Sequence, residues 1–408
     1  MGSFKDSIMS FFGKSEKRSS IGIGDPAITR ILGNHSPLET ATNLSTASRA
    51  ISLISGAYAS SDATLYKTAK GGSPVEADTH ALYDLMLNGT RDLSAYELKH
   101  ALMSDLVTYG ECFAHVEFDQ NGKPTNLTPL SWNNMIVEFL GNGRIVYRWM
   151  NPLFNFNQTV YGQSDILHVK HRPFNGRGRS PIQLAALSMG IAVAVEDATS
   201  TAAQSGFSAG GILSAPGAIS DETAARLQKT VQDNFSGTDK AGRVMVAGDG
   251  ITLQQFALSA KDSELVANRQ FNAYLVAQAY GTPPETVGLP FNSSWGSAQQ
   301  SDIQLVSHCL NPWSQLLNQS ITAFVLSPRE RRTFYLASDY SDMTSGTLQD
   351  QAAAYASLTT SGIYTKNEAR EVFDLPSLPG GDALTTPFNV AAIPHDPAKN
   401  GQQQGATA

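Results

Sequence analysis

The sequence predicts an α+β fold divided into several domains, and three observations carry that expectation. Helical periodicity dominates both halves of the chain, the period switches towards two between Glu111 and Lys170, and a small α/β unit at 211–260 interrupts two helices. At 408 residues the chain exceeds one ordinary core, and with 41% hydrophobic and 16% charged residues it can bury a core rather than stay a disordered polymer.

Each element has its own signal. Leu44, Ala47, Ile51, Ile54 and Tyr58 recur at steps of three and four, predicting an amphipathic helix over 45–60. Gly71, Gly72 and Pro74 form a hinge. Ser94 and Glu97 make a capping box that opens a helix with Leu98, Ala101, Leu102 and Leu106 inside, and Gly110 ends it. Alternation in Phe113–Phe118, Met135–Leu140 and Arg144–Trp149, with turns at Asn121-Gly122 and Gly141-Asn-Gly143, predicts an antiparallel region closing at the strand Asp165–Lys170.

Ser180 and Pro181 start an alanine-rich helix running to about Ser205, thin enough to approach a neighbour closely. The inserted unit follows, with Gly211-Ile-Leu, a helix at 220–235, and strands at Arg243–Val246 and Ile251–Phe256. A second helix, 263–280, ends at Gly281, Pro283 and Pro284. Ile303, Val306, Leu310, Trp313, Leu317, Ile321 and Phe324 then trace one long helix, in which Pro312 removes the donor for the carbonyl of His308 and predicts a kink near Asn311. Arg331–Leu336 reads as a strand. Helices at Leu348–Leu358 and Thr365–Phe373 are joined by Gly362, with Thr365 and Glu368 as a further capping box. The tail, rich in Gly, Pro, Gln and Ala, is expected to be disordered, as is an N-terminal arm over 1–20.

Composition excludes several function classes. Lys and Arg total 29 against 36 Asp and Glu, a net charge of −7, which argues against a protein that coats nucleic acid through a basic surface. Cys112 and Cys309 supply neither a disulfide framework nor a thiolate cluster and fit a reducing compartment. No apolar run approaches the ~18 residues a spanning helix needs. Phe4, Ile8, Phe11 and Phe12 among Lys5, Lys14, Lys17 and Arg18 leave a membrane-surface scaffold as one alternative reading.

Enzyme motifs are weak. Gly206-Phe-Ser208-Ala-Gly210 has the nucleophile-elbow pattern, making a serine hydrolase acting through Ser208 the other alternative, but a helix precedes it and a strand follows, the reverse of the required context. Gly13-Lys14-Ser15 lacks the glycine five positions earlier, where Ile8 stands, so no phosphate loop and no ATPase is expected. His168 and His171 point to opposite faces of a strand and are read as ordinary hydrogen-bonded histidines. Gly176-Arg-Gly178-Arg-Ser-Pro is read as a solvated loop with its arginines on neighbouring chains, a phosphate grip being the alternative. Glu111, Glu117, Asp119, Glu196 and Asp197 form no recognisable constellation. The expectation is no catalysis, no cofactor and no metal.

Seven segments in one order resemble the portal proteins of tailed double-stranded-DNA bacteriophages or of phage-derived gene transfer agents. They are Tyr109–Glu117, Asp165–Val169, Gly178–Ala185, Phe207–Leu213, Ala279–Gly288, Leu310–Trp313 and Gly362–Arg370, within a resemblance covering roughly 40–376. The resemblance implies an α+β portal-type subunit: a wing at 21–178 with a strand at 327–345, a stem of helices at 179–207 and 262–281, and a clip at 208–261. It further implies a tunnel loop at 288–297, a long kinked helix at 298–326 with the kink at Asn311 and Pro312, a crown at 346–376, and a tail at 377–408.

By the same resemblance the chain forms a homo-oligomeric ring, dodecameric in the family, at one capsid vertex of the virion, assembled in the host cytoplasm. DNA would pass through it during packaging and ejection. Asn292, Ser293, Ser294 and Trp295 would line the tunnel and touch duplex DNA transiently, in place of the Tyr-Ser-Asn-like stretch common in the family. Ile212, Leu213, Arg243, Val244, Met245 and Leu258 of the clip would meet the large terminase packaging ATPase and then the head-completion adaptor. The major capsid protein is a further implied partner, and a membrane is not.

Overall fold

The computed structural model describes residues 37–68, 74–152, 156–204, 211–214, 252–255, 261–289, 295–346 and 348–385. The chain divides into two compact units, Met1–Tyr340 and Ser341–Ala408.

In the first unit, helix α1 (Pro37–Asn43) leads into α2 (Ser45–Ser60), which packs against α4 (Ala95–Tyr109) after the short α3 (Ala81–Asn88). The α4 capping box of Ser94 and Glu97 is present, and Gly110 ends the helix in the left-handed region at φ 79°. Ala47, Ile54 and Tyr58 of α2 and Leu98, Leu102, Met103 and Leu106 of α4 are buried, as their helical spacing requires.

Strand β1 (Asp62–Lys67) lies between the short β2 (Val75–Glu76) and β11 (Phe334–Asp339), all antiparallel, with Leu65 opposite Leu336. The chain after the long helix thus returns to pair beside its beginning. Strands β3 (Glu111–Phe118), β4 (Pro124–Leu130) and β8 (Ile166–Lys170) form a second sheet in the order β4-β3-β8. A third, β5-β6-β7 (Met135–Phe139, Ile145–Asn151, Asn157–Tyr161), packs on it through Phe113, Leu130, Met135, Val137, Tyr147 and Ile166.

The alanine-rich helix expected to run unbroken from Ser180 is two: α5 (Pro181–Leu184) and α6 (Ala186–Gln204), parted at Ala185 (φ −107°, ψ 28°). Pro181, Ile182 and Gln183 are all buried, and three consecutive inward residues cannot share one stripe of a straight helix. Beyond it, β9 (Gly211–Ser214) pairs with β10 (Thr252–Gln255), and α7 (Lys261–Tyr280) returns alongside α6 until Gly281 stops it at φ 75°. The long helix comprises α8 (Trp295–Gln304), a π-helical turn over Leu305–Leu310, and α9 (Asn311–Val325).

Two boundaries differ from expectation. Helix α8 begins at Trp295, so the loop expected at 288–297 is shorter and Trp295 belongs to a helix. Gly296, costing about 1 kcal/mol relative to alanine, is too weak a breaker to prevent this. The strand expected at Arg331–Leu336 starts three residues later, because Glu330–Arg332 forms a 3-10 turn with Arg331 Nε donating to the Leu326 carbonyl at 2.8 Å.

The second unit contains α10 (Ser341–Thr344), α11 (Leu348–Thr360) and α12 (Lys366–Glu371), the last opened by the Thr365–Glu368 capping box. Here the tail expected to be disordered from 377 is instead folded as far as 385. Buried Asn367 donates through Nδ2 to the Leu378 carbonyl (3.0 Å) and to Asp382 (2.7 Å), and accepts from the Leu378 amide (2.8 Å). Gly381 permits the approach, since a Cβ there would fall 2.3 Å from Asn367 Oδ1.

Candidate functional site

The fold joins its sheets to the paired helices α6 and α7 through one short loop, 171–179, and that loop is held by a buried carboxylate. Gly110 leaves α4 in the left-handed conformation, which delivers Glu111 into the interior at the first position of β3. Glu111 Oε1 accepts from Trp132 Nε1 at 2.9 Å and from Arg177 Nε at 2.8 Å, with Arg177 NH2 also bonded to it. Oε2 accepts from His168 Nε2 (3.1 Å), from the Gly178 amide (3.0 Å) and from Arg177 Nε (3.1 Å). Every lone pair of the buried carboxylate therefore meets a donor.

Burial alone would raise the Glu111 carboxyl, but the hydrogen bonds from His168 and Arg177 and the Arg177 charge outweigh it and bring it down to about 2. His168 is pushed down to about 4 by burial, so at neutral pH its ring is uncharged. Nε2 carries the proton towards Glu111, and Nδ1 accepts from Tyr147 OH at 3.1 Å. Arg177 supplies the neutralising charge.

The backbone is equally constrained. A Cβ on Gly178 would sit 2.1 Å from the Gly110 carbonyl oxygen, and one on Gly110 would meet the Arg179 carbonyl carbon at 2.2 Å. His171 donates its amide to the Gly110 carbonyl (2.8 Å) and its Nδ1 proton to the Arg179 carbonyl (2.8 Å). Ser180, buried, then caps α5 reciprocally with Gln183. The loop read as solvated, with arginines for a phosphate or a neighbouring chain, is thus tied internally: Arg177 to Glu111, and Arg179 over the Phe174 ring at 5.0 Å. The constellation missed in the sequence is Glu111, Arg177, His168 and Tyr147.

His168 and His171 have separate partners, and among the described residues no group of three or more His, Cys, Asp or Glu side chains could hold a metal ion. Nor is any helix among them long and apolar enough to cross a membrane.

The helices α6 and α7 are bridged by Arg269 Nε donating to Glu196 Oε1 at 2.8 Å. Ala186, Met189, Ala192 and Val193 face inward, whereas Leu184, Leu187 and Ile191 stand 38%, 68% and 49% exposed as a ridge on the outer side. Of the proposed clip residues, Ile212 lies opposite Gln254 and Leu213 opposite Leu253 in the β9-β10 ladder. Arg243, Val244, Met245 and Leu258 lie outside the described residues, as do Ser208, the N-terminal arm and Asn292, Ser293 and Ser294. Trp295 opens α8, so the four expected loop residues are not all in a loop.

Asn311 and Pro312 are the first two residues of α9, directly after the π turn, in which the Asn311 amide bonds the Val306 carbonyl five residues back. Proline at the second position of α9 lacks the amide that an unbroken α register would direct at His308.

This arrangement of sheets, paired helices and interrupted long helix matches solved portal-type subunits. Over 85% of this chain and 95% of the other, it superposes with a TM-score of 0.56 on a protein in the neck of an empty gene transfer agent particle, at 19% identity. An HK97-family phage portal protein from Corynebacterium diphtheriae gives 0.54 over 75% of this chain and 95% of that one, at 15% identity. The profile of the Phage portal protein family matches residues 45–374, and the chain belongs to that family. It is 27% identical to the portal protein of Enterobacteria phage HK97 over 376 residues, 89% of this chain and 87% of that protein. It is 26% identical over 239 residues to a probable portal protein of Streptomyces phage phiC31, spanning 57% of this chain and 52% of that one.

Proposed function

We propose that this chain assembles side by side with identical copies into a ring at a single capsid vertex of a phage or phage-derived particle, and that duplex DNA passes through its bore. The observation that carries the proposal is the set of exposed apolar residues Leu184, at the end of α5, and Leu187 and Ile191, on α6, which stand away from the chain's own core beside a pair of helices already packed together. A ridge that faces outward is stabilised when another subunit covers it, and a heterologous contact that closes yields a ring. The second unit supports the same reading. Among its described residues only Asn367 and Gly381 are buried, while Leu348, Ile363, Leu378 and Leu384 are exposed, so its described part holds no buried apolar side chain. The gene transfer agent neck computed with C12 symmetry, which this fold resembles with a TM-score of 0.54, favours twelve copies.

The acidic balance suits a conduit. Each phosphate neutralised by a fixed cation adds a salt-dependent binding term that retards sliding, and a net charge of −7 keeps such terms few. The clip at 208–261 is the docking site for the packaging ATPase and later for the head-completion adaptor, the wing at 21–178 meets the capsid shell, and the loop before α8, ending at Trp295, touches DNA in passing. The stem, long-helix and crown assignments at 179–207, 262–281, 298–326 and 346–376 belong to this reading. Electron microscopy of the purified full-length chain tests it: rings with an axial opening wide enough for a B-form duplex are expected, and a monomer at every concentration and in particles alike would overturn it.

A further inference from the structure

A cavity of about 330 Å³ opens between the N-terminus of α2 and the facing sides of α6 and α7, at the lower end of the range for small-ligand pockets. Most of its wall is apolar, from Leu44, Ala192, Val195, Ala273, Val276 and Leu289. Helix α2 begins there, with Ser45 and Thr46 on the wall. Its N-cap is Leu44, no side chain caps it, and no acidic residue stands in its first turn, so the partial positive charge at the start of a 16-residue helix is unanswered beside the cavity wall. A second, independent group points the same way. Asn272, only 8% exposed, lines the cavity, and its side chain makes no hydrogen bond among the described residues. With no partner among the described residues, its amide is open to the cavity, where a bound acceptor would take the place of water. Glu196 also reaches the wall, but Arg269 neutralises it at 2.8 Å, so the rim carries no net negative charge.

We propose that this cavity is a carboxylate-binding site for a short aliphatic acid, either free or borne by a side chain of a second copy of this chain. The carboxylate sits at the α2 N-terminus and accepts from the Asn272 amide, while its hydrocarbon stem lies against Ala192, Val195 and Val276. An ammonium head group is repelled by the helix end, and a neutral amide gains no charge term from it. The site stands independently of the ring reading.

The test uses the full-length chain with sodium butyrate, butyramide and n-butylammonium chloride at matched ionic strength, read by thermal denaturation and ligand-observed NMR. Butyrate is expected to raise Tm saturably and the other two to do nothing. Asn272→Leu should weaken butyrate by about tenfold or more, the equivalent of one charge-assisted hydrogen bond. Should Asn272→Leu fold poorly, Thr46→Asp decides: an acid in the first turn favours α2 itself yet repels a carboxylate, so Tm without ligand holds and the butyrate response disappears. Response in both dilute subunits and assembled rings assigns a free acid; response confined to dilute subunits assigns a neighbour's side chain, and either supports the site. Equal response to butyramide, an unchanged response in Thr46→Asp, or no response to butyrate in dilute subunits overturns it.

Discussion

Arg177 grips the carboxylate of Glu111 with Nε and NH2 in a buried pair, 66 residues apart in sequence, at the loop that launches the paired helices. Such a pair contributes little net stability against an apolar replacement, but breaking it strands a buried charge. Arg177→Met should therefore destabilise by about 3–5 kcal/mol in urea denaturation, and the double variant Glu111→Leu with Arg177→Met should recover a large part of that loss. A cost below about 1 kcal/mol for Arg177→Met would mean that Glu111 is not held as described.

The same network fixes a pH dependence. His168, lowered from 6.5 to about 4, contributes stability present above pH 6.5 that is lost as pH falls through the window to 4. Asp105, partly buried with the Trp132 amide as a donor at 3.2 Å, is raised by desolvation from 3.8 to about 7, so its contribution is present below 3.8 and lost as pH rises to 7. The two oppose each other between pH 4 and 6.5. Asp105→Asn should make stability climb with pH across that interval and His168→Gln should make it fall, each by at most roughly 1.4 kcal/mol per pH unit. Parallel stability–pH curves for wild type and both variants would refute the opposition. Below pH 4, Glu111, lowered from 4.5 to about 2, adds a loss as it protonates.

Local signals were legible and long-range ones were not. The capping pairs Ser94–Glu97 and Thr365–Glu368 and the Ser180-Pro181 start can be read within four residues, and each opens a helix where expected. Helix α3 escapes such reading because its cap is His80, whose Nδ1 accepts from the Leu82 amide, and histidine is not a residue that marks helix starts. Helix α1, by contrast, carries the same Ser-Pro start, at Ser36-Pro37, that betrays α5. Glu111, His168 and Arg177 meet only through the β3-β8 pairing and the loop behind it, so no spacing encodes them. The lone available hint is Gly178, whose lack of a side chain lets that loop touch Gly110.

Gly178→Ala turns that hint into a measurement. With its Cβ 2.1 Å from the Gly110 carbonyl oxygen, a backbone atom, and 3.1 Å from the Glu111 Cβ, no flexible side-chain end can yield. A loss of several kcal/mol, or failure to fold, is expected, whereas Gly122→Ala, with open space but a φ of 75°, should cost only about 1 kcal/mol of local strain. Similar small costs at both positions would place the loop further from Gly110 than described.

A buried polar chain links α2 to the last strand of the first unit: Tyr58 OH donates to Asn318 Oδ1 at 2.7 Å, and Asn318 Nδ2 donates to Ser338 Oγ at 3.0 Å. Asn318→Leu leaves the Tyr58 hydroxyl without its acceptor in the core and should cost about 1–3 kcal/mol. Pairing it with Tyr58→Phe removes the stranded donor, so the double variant should be more stable than the sum of the two single losses predicts. Strict additivity would show that the two side chains do not depend on each other.

The exposed ridge separates folding from assembly. Leu187 is 68% exposed, so Leu187→Asp removes little buried surface and should leave subunit stability within about 0.5 kcal/mol of wild type. In the proposed ring this position would be covered by a neighbour, and a carboxylate buried there without a partner would oppose association at every repeat of the contact. Sedimentation velocity should then show the variant as folded single subunits at concentrations where the wild type forms rings. Rings of normal size and stability from Leu187→Asp, or from Ile191→Asp on the same face, would show that this ridge lies outside the contact between copies, and the surface joining them would have to be sought elsewhere on the chain.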